Sequence, residues 1–293
     1  MRKEILSCIL RCVQSINRVA VKCHFIKPIV VIAVDGGICS QMIAYLRGQY
    51  YAKIGIPVFY DLRWFEKCGK DNYGQQDRPF ELIEAFPHLQ IKQLSRYRTA
   101  FYQHFMRYHY KENILPDRKC INRSVYLSLY PDFRSKEDFA YLFRTFFSLK
   151  TCKQISYDKN TLKGYKICGV HIRRGDMSSW MTIPDAYFLQ AIDHVLKKYR
   201  RVSFLFFSDE PDWVKEHFVP QLPEIEYRLM KGNAGHVDLL LCAQCDVVIA
   251  SQGSMGRIAS MINPESELII PSAREDVGFP IMRYREATIF EYF

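Results

Sequence analysis

The sequence predicts an α/β protein whose second half is a regular, doubly wound parallel sheet. Two patterns carry that reading. Residues 28 to 61 run strand, glycine turn, helix, strand, which is the signature of a parallel βαβ unit. From residue 166 onward, short β-branched or aromatic runs alternate with helical stretches. Ligands of such sheets bind beyond the carboxyl ends of the strands, so the residues there are the first candidates for function.

The first segment, residues 1–27, precedes the βαβ unit. Stepped at about 100° per residue, Ile5, Ile9, Cys12, Ile16, Val19 and Ala20 fall together, with Leu6 and Val13 beside them. Ser7, Arg11, Gln14, Arg18 and Lys22 fall opposite. This basic amphipathic helix fits two outcomes, an interfacial membrane anchor or a helix packed on its own protein. It lacks the continuous apolar centre of a signal peptide.

After Lys27-Pro28, "IVVIAV" reads as a buried strand ended by Asp35-Gly36-Gly37. "SQMIAYLRGQYYAKIG" has helical spacing through Met42, Ile43, Leu46 and Tyr50 and stops at Gly55, before the strand "IPVFYDL". Residues 65 to 150 are rich in Tyr, Phe, His, Arg and Lys, and read as helical insertions such as "RPFELIEAF" and "SKEDFAYLFRTFFSL". A stretch without apolar period marks a boundary near 151–165. Beyond it come the strands "KICGVHI", "VSFLFFSDE", "IEYRLM", "DVVIAS" and "SELIIPS". Between them lie the helices "PDAYFLQAIDHVLKKY", "PDWVKEHF", "HVDLLLCAQC" and "GRIASMI". The expected domains are therefore 1–27, 28–150 and 151–293.

With 293 residues, the chain can form one large domain or two medium ones. Its net charge of +10 favours anionic partners, but no Lys/Arg tract of nucleic-acid type is present, so a nucleic acid is not expected. The ten cysteines sit mostly in apolar segments, and Cys242 and Cys245 form a lone C-x-x-C without the further ligands that structural zinc needs. A reducing cytoplasm is the expected compartment. No run approaches the ~20 apolar residues of a membrane span.

The strand ends form a short set. The first ends in His171, Arg173, Arg174, Gly175 and Asp176, and the next in Ser208, Asp209 and Glu210. The last well-defined one ends in Ser251, Gln252, Gly253 and Ser254, with Arg257 opening the following helix. Two adjacent guanidiniums repel and are costly to bury, so they sit in water or face an anion. A nucleoside diphosphate fits best, with arginines and a helix N-terminus for phosphates and a carboxylate for base or ribose. Taken singly, Ser208 to Glu210 also suit helix capping and His171 a structural histidine. There is no Walker A sequence, three-glycine dinucleotide fingerprint, Asp-x-Asp or Gly-x-Ser-x-Gly elbow. A metal-free enzyme would neutralise a departing diphosphate with side-chain cations, so no metal is expected.

His171-x-Arg173-Arg174-Gly175-Asp176 resembles the HxRRGD motif of the α1,2-fucosyltransferases of glycosyltransferase family 11, with related motifs in α1,6- and protein O-fucosyltransferases. "VVIAVDGGICSQMIAYLRGQYYAKIGIPVFYDLRWF" is similar to that family's opening strand, turn and helix. "YLSLYPDFRSKEDF", "FLFFSDEPDWVKEHF" and "HVDLLLCAQCDVVIAS" resemble later family segments in the same order. The resemblance implies a GT-B fold, with two Rossmann-like domains facing a cleft. It also implies inverting transfer of fucose from GDP-fucose, bound mainly by the second domain. Arg173 and Arg174 would then hold and stabilise the leaving phosphate, and His171 and Asp176 would shape the donor pocket. Asp209 or Glu210 would contact guanine, Asp238 would match the family's aspartate of the late helix, and Ser251 to Ser254 its phosphate-side loop. Asp35, Gly36, Gly37 and Gln41 would face the acceptor. Asp35, His236 and Asp238 are the candidate bases, and a strongly oxocarbenium-like transition state would need none.

The chain departs from the family at Ser40, where an asparagine is usual, and at "SQGSMGRIASMI", where two tryptophans are usual. Those departures bear on acceptor, linkage and sugar. The leading expectation is a fucosyltransferase acting on a galactose-containing glycan, α1,2-linked, in surface-polysaccharide assembly. A lipid-linked acceptor would suit a protein lying on the inner membrane face through its first helix. Two alternatives stand beside it: a transferase of another GDP-sugar or linkage, and a non-catalytic nucleotide-sugar-binding protein.

Overall fold

The computed structural model describes residues 2–67, 69–70, 77–110, 114–118, 121–128, 131–156, 162–175, 182–272 and 287–290. The chain opens with α1 (Arg2–Lys22), β1 (Val30–Ala33), α2 (Ile38–Ala52), β2 (Val58–Asp61) and α3 (Arg63–Lys67). It continues with α4 (Leu82–Ala85), α5 (Arg96–Phe105), β3 (Val125–Leu127) and α6 (Lys136–Phe146). The later elements are β4 (Lys166–Ile172), α7 (Asp185–Lys198), β5 (Val202–Ser208), α8 (Pro211–Trp213), β6 (Glu226–Met230), α9 (Gly235–Cys242), β7 (Val247–Ala250), α10 (Ser254–Ile262), β8 (Glu267–Pro271) and β9 (Thr288–Phe290). Two compact units result: Met1–Phe80 with Leu89–Thr145, and Glu81–His88 with Phe146–Phe293.

The first unit holds a three-stranded parallel sheet in the order β2-β1-β3. Gly36 lies in the left-handed region, with φ +70°, which turns β1 into α2 without Cβ strain. In α2, Gly48 lies against the Tyr60 ring, where an added Cβ would collide with the phenol. Strand β3 was not expected from the sequence. It is three residues long, too short for a period-2 pattern, and it lies among aromatic residues that read as helical. The helix expected at "RPFELIEAF" shrinks to the four residues of α4.

Helix α1 packs on its own unit: Gln14 Nε2 donates to the Phe105 carbonyl at 2.9 Å, and Asn17 Oδ1 accepts the Ser124 amide at 2.8 Å. That contact uses the Gln14–Asn17 side. The apolar stripe of Ile5, Ile9, Ile16 and Val19 stays exposed, with Ile16 at 69%. Among the described residues, no helix is long and apolar enough to cross a membrane.

The second unit is a six-stranded, wholly parallel sheet in the order β6-β5-β4-β7-β8-β9. In chain order that is 3-2-1-4-5-6, so the winding reverses between β4 and β7. On one face, Tyr187, Phe188, Ala191, Ile192 and Val195 of α7 pack on Cys168, Val170, Phe204, Phe206, Val247 and Ile249. On the other face, α10 presses so closely on β7 that a Cβ on Gly256 would lie 2.7 Å from that of Ala250. Gly169 plays the same part for the buried thiols of Cys242 and Cys245. The segment Glu81–His88 belongs to this unit: Phe86 packs edge-on to Phe147, and Lys153 donates its amide to the Ala85 carbonyl at 2.8 Å.

Candidate functional site

Strand β4 ends at the reversal point and runs directly into a tightly held turn. Asp209, just past β5, accepts the Arg174 amide at Oδ1 and the Gly175 amide at Oδ2, both at 3.0 Å. Its Oδ2 also lies 3.2 Å from Arg173 Nε. A side chain on Gly175 would press on that carboxylate, with its Cβ 3.1 Å from Oδ2. Asp209 is therefore a positioning residue, its carboxylate engaged in the arginine turn. The neighbouring Glu210 has a side chain 43% exposed. Ser208 Oγ accepts the Glu210 amide at 3.0 Å, closing a local turn.

The two arginines differ. Arg174 lies over the Trp213 ring at 3.5 Å and reaches Asp185 at 3.4 Å and Glu210 at 3.9 Å. Arg173 leans on Asp209 beside Gly253. Asp185 did not stand out in the sequence, and Trp213 did so only as part of the resembling segment "FLFFSDEPDWVKEHF", because the contact each makes depends on the fold.

His171 is 5% exposed, and its Nδ1 shares a hydrogen bond with Ser251 Oγ at 3.1 Å, bridging β4 and β7. Burial, and then the charges of Arg173 and Arg257, push its pKa down to about 3, so the ring is neutral at physiological pH. Gly253 caps α10, and a Cβ there would lie 3.3 Å from His171 Cε1 and 3.8 Å from Arg173 Cγ. His171, Arg173, Ser251, Gly253 and the first turn of α10 thus come together. Gln252 is buried next to them, and Ser254 begins the helix, whose first amides have no partner within it and no side-chain cap from Gly253. Asp176 lies outside the described residues.

Asp238 sits in the first turn of α9 and accepts from Asn233 Nδ2 at 2.8 Å. Burial is the chief cause that raises its pKa to about 6, and Glu81 adds to it. His236 is buried with Nδ1 2.9 Å from Glu81 Oε1, which pins the α4 segment to α9. That pairing of residues far apart in sequence was invisible to a reading by local pattern.

Among the acceptor-side candidates, Gln41 is fully buried. Its Nε2 donates to the carbonyls of Gly36 at 3.0 Å and Pro79 at 2.8 Å, so it braces the glycine turn from within rather than facing a ligand. Gly36 supplies the positive φ, and Gly37 caps α2. Asp35 lines a cavity of about 240 Å³ at the strand ends of the first unit, together with Asp61, Arg63, Trp64, Gln103 and Tyr126. Asp61 is held ionised there despite burial, by a two-pronged Arg63 pair at 2.7 and 2.8 Å and the Tyr126 hydroxyl at 2.7 Å. No metal-binding group of three His, Cys, Asp or Glu occurs among the described residues.

A 3-2-1-4-5-6 parallel sheet with a cationic turn and a helix N-terminus at its reversal point defines a Rossmann-type α/β protein with an anion-ready crevice. The chain belongs to glycosyl transferase family 11, whose family model matches residues 78–279. It is similar to the solved fucosyltransferase NodZ from Bradyrhizobium, with 15% identity over 82% of this chain and 94% of that one, and a TM-score of 0.48. It is also similar to E. coli ADP-heptose LPS heptosyltransferase II, with 10% identity over 89% and 90% and a TM-score of 0.48. POFUT1 in complex with GDP shares 11% identity over 82% and 98%, with a TM-score of 0.43. No curated protein matches the sequence.

Proposed function

We propose that this protein transfers fucose from GDP-fucose to a hydroxyl of a galactoside, inverting the anomeric centre, with α1,2 linkage. Family membership supports glycosyl transfer. The observation that carries the donor reading is the Asp209-held turn at the sheet's reversal point, which sets Arg173 beside the N-terminus of α10 and Arg174 next to it over Trp213.

In this reading Arg173, Arg174 and the α10 amides meet the negative charge that grows on the β-phosphate as the C1–O bond breaks. The acceptor oxygen attacks C1 from the opposite face. Its proton passes to Asp35, and the electron pair of the broken bond leaves on GDP. Neutral His171 and Ser251 shape the phosphate side without adding charge. Asp176, Ser208, Glu210, Asp238, Gln252, Gly253 and Ser254 complete the donor pocket. Gly36 and Gly37 shape the acceptor side, and Gln41 braces it.

The exposed stripe of α1, flanked by Arg11, Arg18 and Lys22, suits an anionic lipid surface and hence an acceptor carried on a membrane lipid. The segment that carries Arg257 where the family has tryptophans favours a second reading, in which the sugar or linkage differs.

Purified protein given GDP-fucose, GDP-mannose or UDP-galactose with a simple β-galactoside and EDTA tests both. Product from GDP-fucose alone supports the reading, with linkage read by NMR. Product from GDP-mannose alone supports the second reading. Product only when a divalent metal is restored would overturn metal independence.

A further inference from the structure

Arg257 is a charged residue of the second unit whose burial its packing does not explain. Its residue is 3% exposed, and its Nε is buried without any hydrogen-bond partner. Among the described residues, no carboxylate pairs with it. A buried guanidinium left in this state is strongly unfavourable unless a charge of opposite sign arrives. Its surroundings are already positive: Arg257 and Arg173 both act on the buried His171. Burial lowers its own pKa to about 10, which still leaves it protonated at neutral pH.

Its place is equally specific. Arg257 is the fourth residue of α10, one turn in from Ser254. The cap residue of that helix, Gly253, abuts His171 and Arg173. A helix N-terminus, an arginine on the adjacent strand end and an arginine on the helix itself converge, and no acid among the described residues pairs with Arg257.

We propose that Arg257 is a third cation for the donor's diphosphate, held buried with its Nε unsatisfied among the described residues until the ligand's phosphate oxygens meet it. The proposal rests on the reading of this crevice as a nucleoside-diphosphate site, and gives Arg257, which the sequence placed among the strand-end groups, a specific role there. Arg257 lies in the segment, Ser251 to Ile262, where the chain departs from the family pattern.

The experiment compares guanosine, GMP and GDP binding by calorimetry in the wild type, Arg257→Met and Arg257→Lys, with Tm measured without ligand. Methionine keeps much of the volume and removes the charge. The expected result is a 10- to 100-fold loss of GDP affinity in Arg257→Met, by analogy with charge-assisted hydrogen bonds of about 1.5–3 kcal/mol. Guanosine affinity stays unchanged, and Arg257→Lys recovers part of the loss. Ligand-free Tm rises or holds in Arg257→Met, because an unpaired buried charge has gone. A merely structural arginine would instead lower Tm and leave the ratio of GDP to guanosine affinity unchanged, and that result overturns the proposal. So does an Arg257→Met chain that fails to fold, together with an Arg257→Lys chain that loses stability yet keeps the wild-type ratio. If the wild type itself binds no GDP, the donor reading falls, which is a different outcome from an unchanged GDP affinity in Arg257→Met.

Discussion

Asp209 and Arg174 are 35 residues apart in the chain, yet the Asp209 carboxylate accepts the Arg174 amide at 3.0 Å and fixes the turn in which both arginines lie. The same carboxylate holds Gly175 and contacts the Arg173 guanidinium. Its role is to hold cations in place.

Replacing it tests that role. Asp209→Asn keeps one carbonyl acceptor but sets an amide N–H₂ against a backbone donor and removes the countercharge. GDP affinity is expected to fall at least ~10-fold and stability by about 2–4 kcal/mol, as for a broken buried charged pair. Calorimetry and urea unfolding read both. Unchanged GDP binding would remove Asp209 from the site.

His171 gives a pH signature. The unfolded ring takes up a proton near pH 6.5 and the folded ring only near pH 3. Between those values the unfolded chain binds more protons, so stability falls as pH falls, by up to about 1.4 kcal/mol per pH unit from this group. Urea unfolding from pH 7 to 4 should show a steeper acid loss in the wild type than in His171→Gln. Parallel slopes would mean that the folded ring can take up the proton.

Asp238 works in the opposite direction. Its pKa is raised from 3.8 to about 6, so the folded state binds more protons than the unfolded chain between those values. Stability therefore rises as pH falls through that window, and the ionised form is a burden above it. Asp238→Asn should gain about 1–2 kcal/mol above pH 7 and almost nothing at pH 4. GDP binding should weaken in the same variant. A stability gain that persists at pH 4 would contradict the assignment.

Gly256 sets how closely α10 approaches β7. Gly256→Ala places a Cβ 2.7 Å from that of Ala250, and should cost about 1–3 kcal/mol by overpacking. Moving α10 also moves Gly253 and Arg257, so GDP affinity should drop with Tm. A thermal-shift series with and without GDP distinguishes that from a simple loss of stability.

The free stripe of α1 can be tested without removing the helix. Ile9→Ser, Ile16→Ser and Val19→Ser together should abolish binding to anionic lipid vesicles. Each change is expected to leave stability within about 0.5 kcal/mol, since none of these side chains is buried. Vesicle binding that survives all three would refute the anchor.

The strands β4 to β8 and the helices α7, α9 and α10 of the second unit were legible from their apolar runs and spacing, and alternation of the two leaves little choice but a parallel sheet; β9, three residues long, was not expected. The residues at the ends of β4, β5 and β7 could be named for the same reason. Strand β3 and the short α4 could not be seen, because three or four residues carry no period. The contact of Glu81 with His236 spans 155 residues, and no local pattern records it.

The class of fold and the set of groups at the strand ends were thus written in the sequence. Side-chain periodicity and glycine placement are local properties, and they are encoded residue by residue. Packing assigned the roles. It turned Asp209 and Gln41 inward as braces, split α1 into a packed side and a free stripe, and left the Arg257 Nε buried without a partner among the described residues. Burial and the pairing of charges depend on distances between segments remote in the chain, and only the folded sheet brings those segments together.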